Sequence, residues 1–80
     1  MNPKTTNQNQ SFTVDEVVSL INRPVIRHDR GDKFVPANIG LIVGVVTLNQ
    51  EVEMVVKFID RVTQFTKAEF NKNYRVISED

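Results

Sequence analysis

The sequence predicts a mainly β protein. It reads as a small barrel of about five strands, preceded by a short helix and a polar tail, with one helical turn before the last strand. Three observations carry this. Valine and isoleucine together number nineteen against three leucines, and β-branched side chains suit a pleated surface and are stiff in helices. Residues 51–59 alternate, with Val52, Met54, Val56 and Phe58 on one side and Glu51, Glu53 and Lys57 on the other. That is the period of a half-exposed strand. Several short apolar runs follow one another in about fifty residues, too little chain for two wide sheets, and closing a sheet on itself removes its edges.

Residues 1–11 hold one apolar residue, Met1, and are otherwise amide-rich and polar. Such a segment buries too little surface to offset its ordering entropy, so a disordered tail is expected there. Residues 12–80 read as a single domain, in which 31 of 69 residues are apolar, close to the usual globular share.

The first helix is announced by Phe12-Thr13-Val14-Asp15-Glu16-Val17. Thr13 is an N-cap with Glu16 at N3, a capping box, and Phe12 and Val17 fall at the staple positions. Val14, Val17, Val18 and Ile21 follow at helical spacing, which predicts an apolar face over 14–22 with Leu20 beside it and exposed. Asn22 and Pro24 mark the stop. Strands are then expected at Pro24–His28 and Gly40–Leu48, with Phe34-Val35 a short extended candidate between them and Gly44 marking a bulge. Asp29-Arg30-Gly31-Asp32 and Pro36-Ala37-Asn38 break the chain between them. Asn49-Gln50 is the expected hairpin turn into the strand at 51–59, and Asp60-Arg61 the next tight turn, into Val62–Phe65. Phe65-Thr66-Lys67-Ala68-Glu69-Phe70 repeats the capping-box and staple pattern. No apolar period follows it, so one turn is expected, stopped by Asn71-Lys72-Asn73, before a last strand at Tyr74–Ile77.

The long loop after the first strand, the two serial hairpins and the turn before the last strand resemble the order of an SH3-like barrel. Gly31-Asp32-Lys33-Phe34-Val35 with Gly40 and Gly44-Val45-Val46 is similar to a KOW-type segment of transcription and ribosomal proteins. The resemblance spans roughly residues 24–77. It implies a small-barrel fold and nucleic acid or polymerase as a class of partner, and it assigns a role to no single residue.

The chain has no cysteine and ten charges of each sign. The first fact removes disulfide scaffolds, cysteine zinc sites and thiol catalysis. The second removes a long-range pull toward polyanions. The longest apolar run, Ile39–Val46, is eight residues with two glycines, well short of the ~20 that span a bilayer. No signal peptide is read in the polar tail. A cytoplasmic protein is expected, of the kind typical of accessory or phage-encoded regulators.

Candidate chemistry is sparse. His28 is the one histidine; with Asp29 and Asp32 it reads as a polar turn rather than a metal site. Arg30-Gly31-Asp32 and the sequon Asn9-Gln10-Ser11 read as a turn and a tail. Glu51 and Glu53 read as guards of an outer strand face. No enzyme activity and no cofactor are expected. The preferred reading is a binding module for a protein partner, using loop 29–38 and hairpin 49–50, with Arg30, Lys33, Phe34 and Ile39 as contact residues. The alternative is a nucleic-acid site on Arg23, Arg27, Lys72, Tyr74 and Arg75, with Tyr74 and His28 as stacking surfaces. A third reading is a homo-oligomer joined through the apolar run 41–48. The first helix covers one end of the barrel or docks on a partner, and the cover is preferred.

Overall fold

A computed structural model describes residues 11–28, 31 and 33–77. Asp29, Arg30, Asp32 and all of the expected tail except Ser11 lie outside the described residues. The chain is mainly β. Five antiparallel strands form one sheet, β1 (Pro24–Arg27), β2 (Ile39–Leu48), β3 (Glu51–Lys57), β4 (Val62–Phe65) and β5 (Tyr74–Val76), in the order β4-β3-β2-β1-β5. Among the described residues two helices accompany it, α1 (Val14–Val18) and α2 (Lys67–Asn73), with a 3₁₀ turn at Pro36–Asn38.

The Thr13 hydroxyl accepts the Glu16 N–H at 3.1 Å and the Glu16 carboxylate accepts the Thr13 N–H at 3.3 Å, the expected capping box. The α-helix is shorter than the predicted 14–22. After Val18 the chain tightens: Leu20 N–H donates to the Val17 carbonyl and Ile21 N–H to that of Val18. Asn22 then turns left-handed at φ 75°. Three-residue turns eclipse positions i and i+3, which brings Leu20 into line with Val17. Val17 is buried and Leu20 and Ile21 pack on the core, while Val14 and Val18 are exposed. The predicted stripe is therefore corrected at Val14, Val18 and Leu20. Phe12 is buried with its ring centroid 6.3 Å from that of Phe70, and Lys67 Nζ lies 2.9 Å from Glu16 Oε2. α1 thus packs on the sheet and on α2.

Gly44 marks a bulge, as its place in the run predicts. Ile42 pairs with Val56 but Gly44 with Val55, so Val43 is the extra residue. The shift lets Ile42 and Val45 both face inward against Val56 and Met54. At the hairpin Asn49 and Gln50 have φ 51° and 66°, the two left-handed residues of a type I′ turn, whose twist matches that of the strands. Met54, Val56 and Phe58 are buried and Val52 packs against them, which is the alternation read from 51–59.

α2 runs seven residues rather than one turn. Thr66 and Glu69 form the second capping box. Asn71-Lys72-Asn73 continues the helix because its terminal carbonyls find donors elsewhere. His28 N–H donates to the Asn73 carbonyl at 2.7 Å and His28 Nε2 to that of Asn71 at 3.3 Å, while Tyr74 N–H donates to Phe70. These partners satisfy a helix end, and two of them come from His28, the residue that follows β1, a long-range contact. α2 also joins the two edges of the sheet. Phe65 closes β4 and Tyr74 opens β5, and their ring centroids are 4.9 Å apart.

Candidate binding surface

Two elements carry exposed apolar side chains at one end of the sheet. The first is the loop entering β2. The Lys33 carbonyl accepts from Val35 N–H at 2.9 Å and from Asn38 Nδ2 at 3.0 Å. The Asn38 N–H donates to Val35 at 2.9 Å, and Pro36 fixes the first position of the 3₁₀ turn. The loop is thus tied to itself, and it holds Phe34 at 63% exposure beside a half-exposed Val35. Lys33 is exposed and Ile39 half-buried.

The second element is the turn from β3 to β4. Phe58 N–H donates to the Arg61 carbonyl at 2.7 Å. The Phe58 ring is buried, and the Arg61 guanidinium lies over it at 4.3 Å while also pairing with Asp60 at 3.0 Å. This turns Ile59 outward, 71% exposed, and leaves Val62 60% exposed. Leu41, Lys57 and Val62 form one row across β2, β3 and β4. Ile39 and Ile59 each lie two residues beyond that row, on the side of the loop. Gly40 backs onto Phe58, since a Cβ there would stand 2.9 Å from the ring.

The expected partnership of loop 29–38 with hairpin 49–50 is corrected by this geometry. They occupy opposite ends of the ten-residue β2, roughly 30 Å apart along the strand at ~3.3 Å per residue. The neighbour of the loop is the turn at 58–61. Ile59 and Val62 were legible by parity: Ile59 continues the outward series of β3 past its end, Val62 falls on the outward side of β4, and no polar residue replaces them. Arg30 lies outside the described residues.

The residues of the nucleic-acid reading are brought near one another but not onto one face. β1 and β5 do pair, with Arg27 opposite Tyr74 and Ile26 opposite Arg75. Cross-strand partners share a face, so Arg27 and Arg75 lie on opposite faces. Tyr74 is buried and stacked on Phe70 at 5.9 Å and 16°, so its ring serves the core instead of a base. His28 caps α2. Arg23 is half-buried with its Nε unpartnered among the described residues, and Lys72 is exposed in the last turn of α2.

Glu51 and Glu53 sit on the outer face of β3, and no group of three or more His, Asp or Glu able to hold a cation occurs among the described residues. No described helix is long and apolar enough to cross a membrane. Comparison with protein-family models, with curated proteins and with solved structures finds no match for this chain. The fold and surface define a small mainly β protein with an apolar, loop-built end.

Proposed function

We propose that this chain is a non-catalytic binding module that engages a protein partner through Phe34 and Val35 of the loop and Ile59 and Val62 of the β3–β4 turn, with Lys33 at the rim. The observation that carries the reading is the exposed Phe34 ring on a loop closed by its own hydrogen bonds. Aromatic anchors dominate protein interfaces, and a preformed loop loses little entropy on binding. The order β4-β3-β2-β1-β5 and the Phe65–Tyr74 contact between edge strands support reading the sheet as an SH3-like barrel that presents this end. The reading assigns the module to the cytoplasm as a small regulator.

The test is affinity capture from host lysate with three baits: wild type, Phe34→Ala and Asn49→Ala. A protein retained by wild type and Asn49→Ala but lost with Phe34→Ala supports the reading. Equal retention by all three removes it. A salt-sensitive gain of short DNA or RNA, unaffected by Phe34→Ala, favours the nucleic-acid alternative.

A further inference from the structure

The outer face of the sheet presents a second surface, which adjoins the loop end at Val62. Its row on β3 reads Glu51, Glu53, Val55, Lys57, since Val52, Met54 and Val56 face the core. Beside it on β2 stand Leu48 opposite Glu51, Val46 opposite Glu53, Gly44 opposite Val55 and Leu41 opposite Lys57, with the bulge residue Val43 between the last two. Leu41, Val43 and Leu48 are each exposed by about two-fifths or more. None of the three belongs to the core cluster or packs against it. Glu51, Glu53 and Lys57 have no ion-pair partner among the described residues.

The charges are arranged symmetrically with opposite sign. Glu53 and Lys57 lie two residues either side of Val55 on the same face. A two-fold axis crossing β3 at Val55, in the plane between two stacked sheets, reverses the strand. It sets Glu53 of each copy against Lys57 of the other. The same operation lays Leu41, which flanks Lys57, on Val46 of the second copy, which flanks Glu53. An isologous interface requires this reciprocity, in which residue i meets j and j meets i. Charge complementarity with apolar neighbours fixes register and partner.

We infer that this face is a docking surface for a second copy of the chain, forming a two-fold dimer through Val55, Glu53, Lys57 and the apolar residues of β2. The operation sends the two Phe34 loops to opposite ends of the dimer and leaves them uncovered, while Val62, which flanks Lys57 on β4, borders the contact.

The test is sedimentation equilibrium of the purified full chain with two charge-reversal variants, Glu53→Lys and Lys57→Glu. Wild type is expected at twice the 9.2 kDa monomer mass. Each variant alone sets like charges against each other across the axis and is expected as a monomer. An equimolar mixture restores both attractive pairs, and the doubled mass is expected to return. Within one chain the two residues are about 13 Å apart along the strand, so no intramolecular contact can produce that rescue. Circular dichroism of each variant checks that the fold is intact. A monomeric wild type, variants that stay dimeric, or a mixture that stays monomeric would each overturn the inference.

Discussion

The ring of Phe65, at the end of one edge strand, lies 4.9 Å from the ring of Tyr74, at the start of the other. Two strands at opposite ends of a five-strand order meet through their side chains, so the sheet must curl. Phe70 of α2 contacts both rings, at 6.2 and 5.9 Å, and Phe58 of the β3 end lies 5.7 Å from Tyr74. The four aromatics form one cluster that fastens β4, α2 and β5 together.

That cluster sets the first expectation. Tyr74→Ala removes a buried ring with three aromatic neighbours and is expected to cost about 3–5 kcal/mol of unfolding free energy. A double-mutant cycle with Phe65→Ala is expected to return about 0.5–1.5 kcal/mol of coupling between the rings. Urea denaturation of the four proteins measures both.

The two glycines of β2 should behave in opposite ways. A Cβ at Gly40 would stand 2.6 Å from Val56 Cγ1 and 2.9 Å from Phe58 Cε1, both side chains buried and unable to withdraw. Gly40→Ala is expected to destabilise by about 1–3 kcal/mol through overpacking. At Gly44 the nearest atom is Val55 Cβ at 3.9 Å, an ordinary contact, so Gly44→Ala leaves the midpoint of unfolding nearly unchanged. Thermal melts of the pair compare them directly.

The hairpin holds a side chain where glycine is preferred. Gln50 sits at φ 66° in the second turn position, a region that costs L-residues about 1–2 kcal/mol, and Asn-Gly is the favoured pair for this turn. Gln50→Gly is expected to raise stability by about 0.5–1 kcal/mol, read as a higher urea midpoint with the slope unchanged.

Binding and folding should separate at Phe34. Its ring is exposed and outside the core cluster, so Phe34→Ala is expected to change stability by less than about 0.5 kcal/mol. If the loop end is the recognition surface, the same change removes the captured partner. Chemical denaturation run beside the capture experiment reads the two effects independently.

Local signals were legible in the sequence wherever a short-range rule decides the outcome. Thr13 with Glu16 and Thr66 with Glu69 cap helices, Asn49-Gln50 turns a hairpin, Gly44 marks the bulge, and 52, 54, 56 and 58 face inward. Long-range partners were not. The length of α2 depends on donors from His28, just after β1, which spacing along the chain does not encode. The burial of Tyr74 depends on three rings, from Phe58 just after β3, from β4 and from α2. The adjacency of loop 29–38 and hairpin 49–50 was misread for a similar reason. Loop and hairpin look adjacent in a strand list, and only the ten-residue length of β2 separates them; the parity that exposes Ile59 and Val62 names the true neighbour of the loop.

The account rests on the aromatic cluster lying inside the curled sheet while Phe34 stands outside it. Proton–proton Overhauser contacts among the assigned aromatic rings measure this directly. The account predicts cross-peaks joining Phe65 to Tyr74 and Tyr74 to Phe70, and none from the Phe34 ring to any of these. Absent cross-peaks between Phe65 and Tyr74 would contradict the contact between the two edge strands, and a Phe34 ring in contact with the cluster would contradict the surface proposed for recognition.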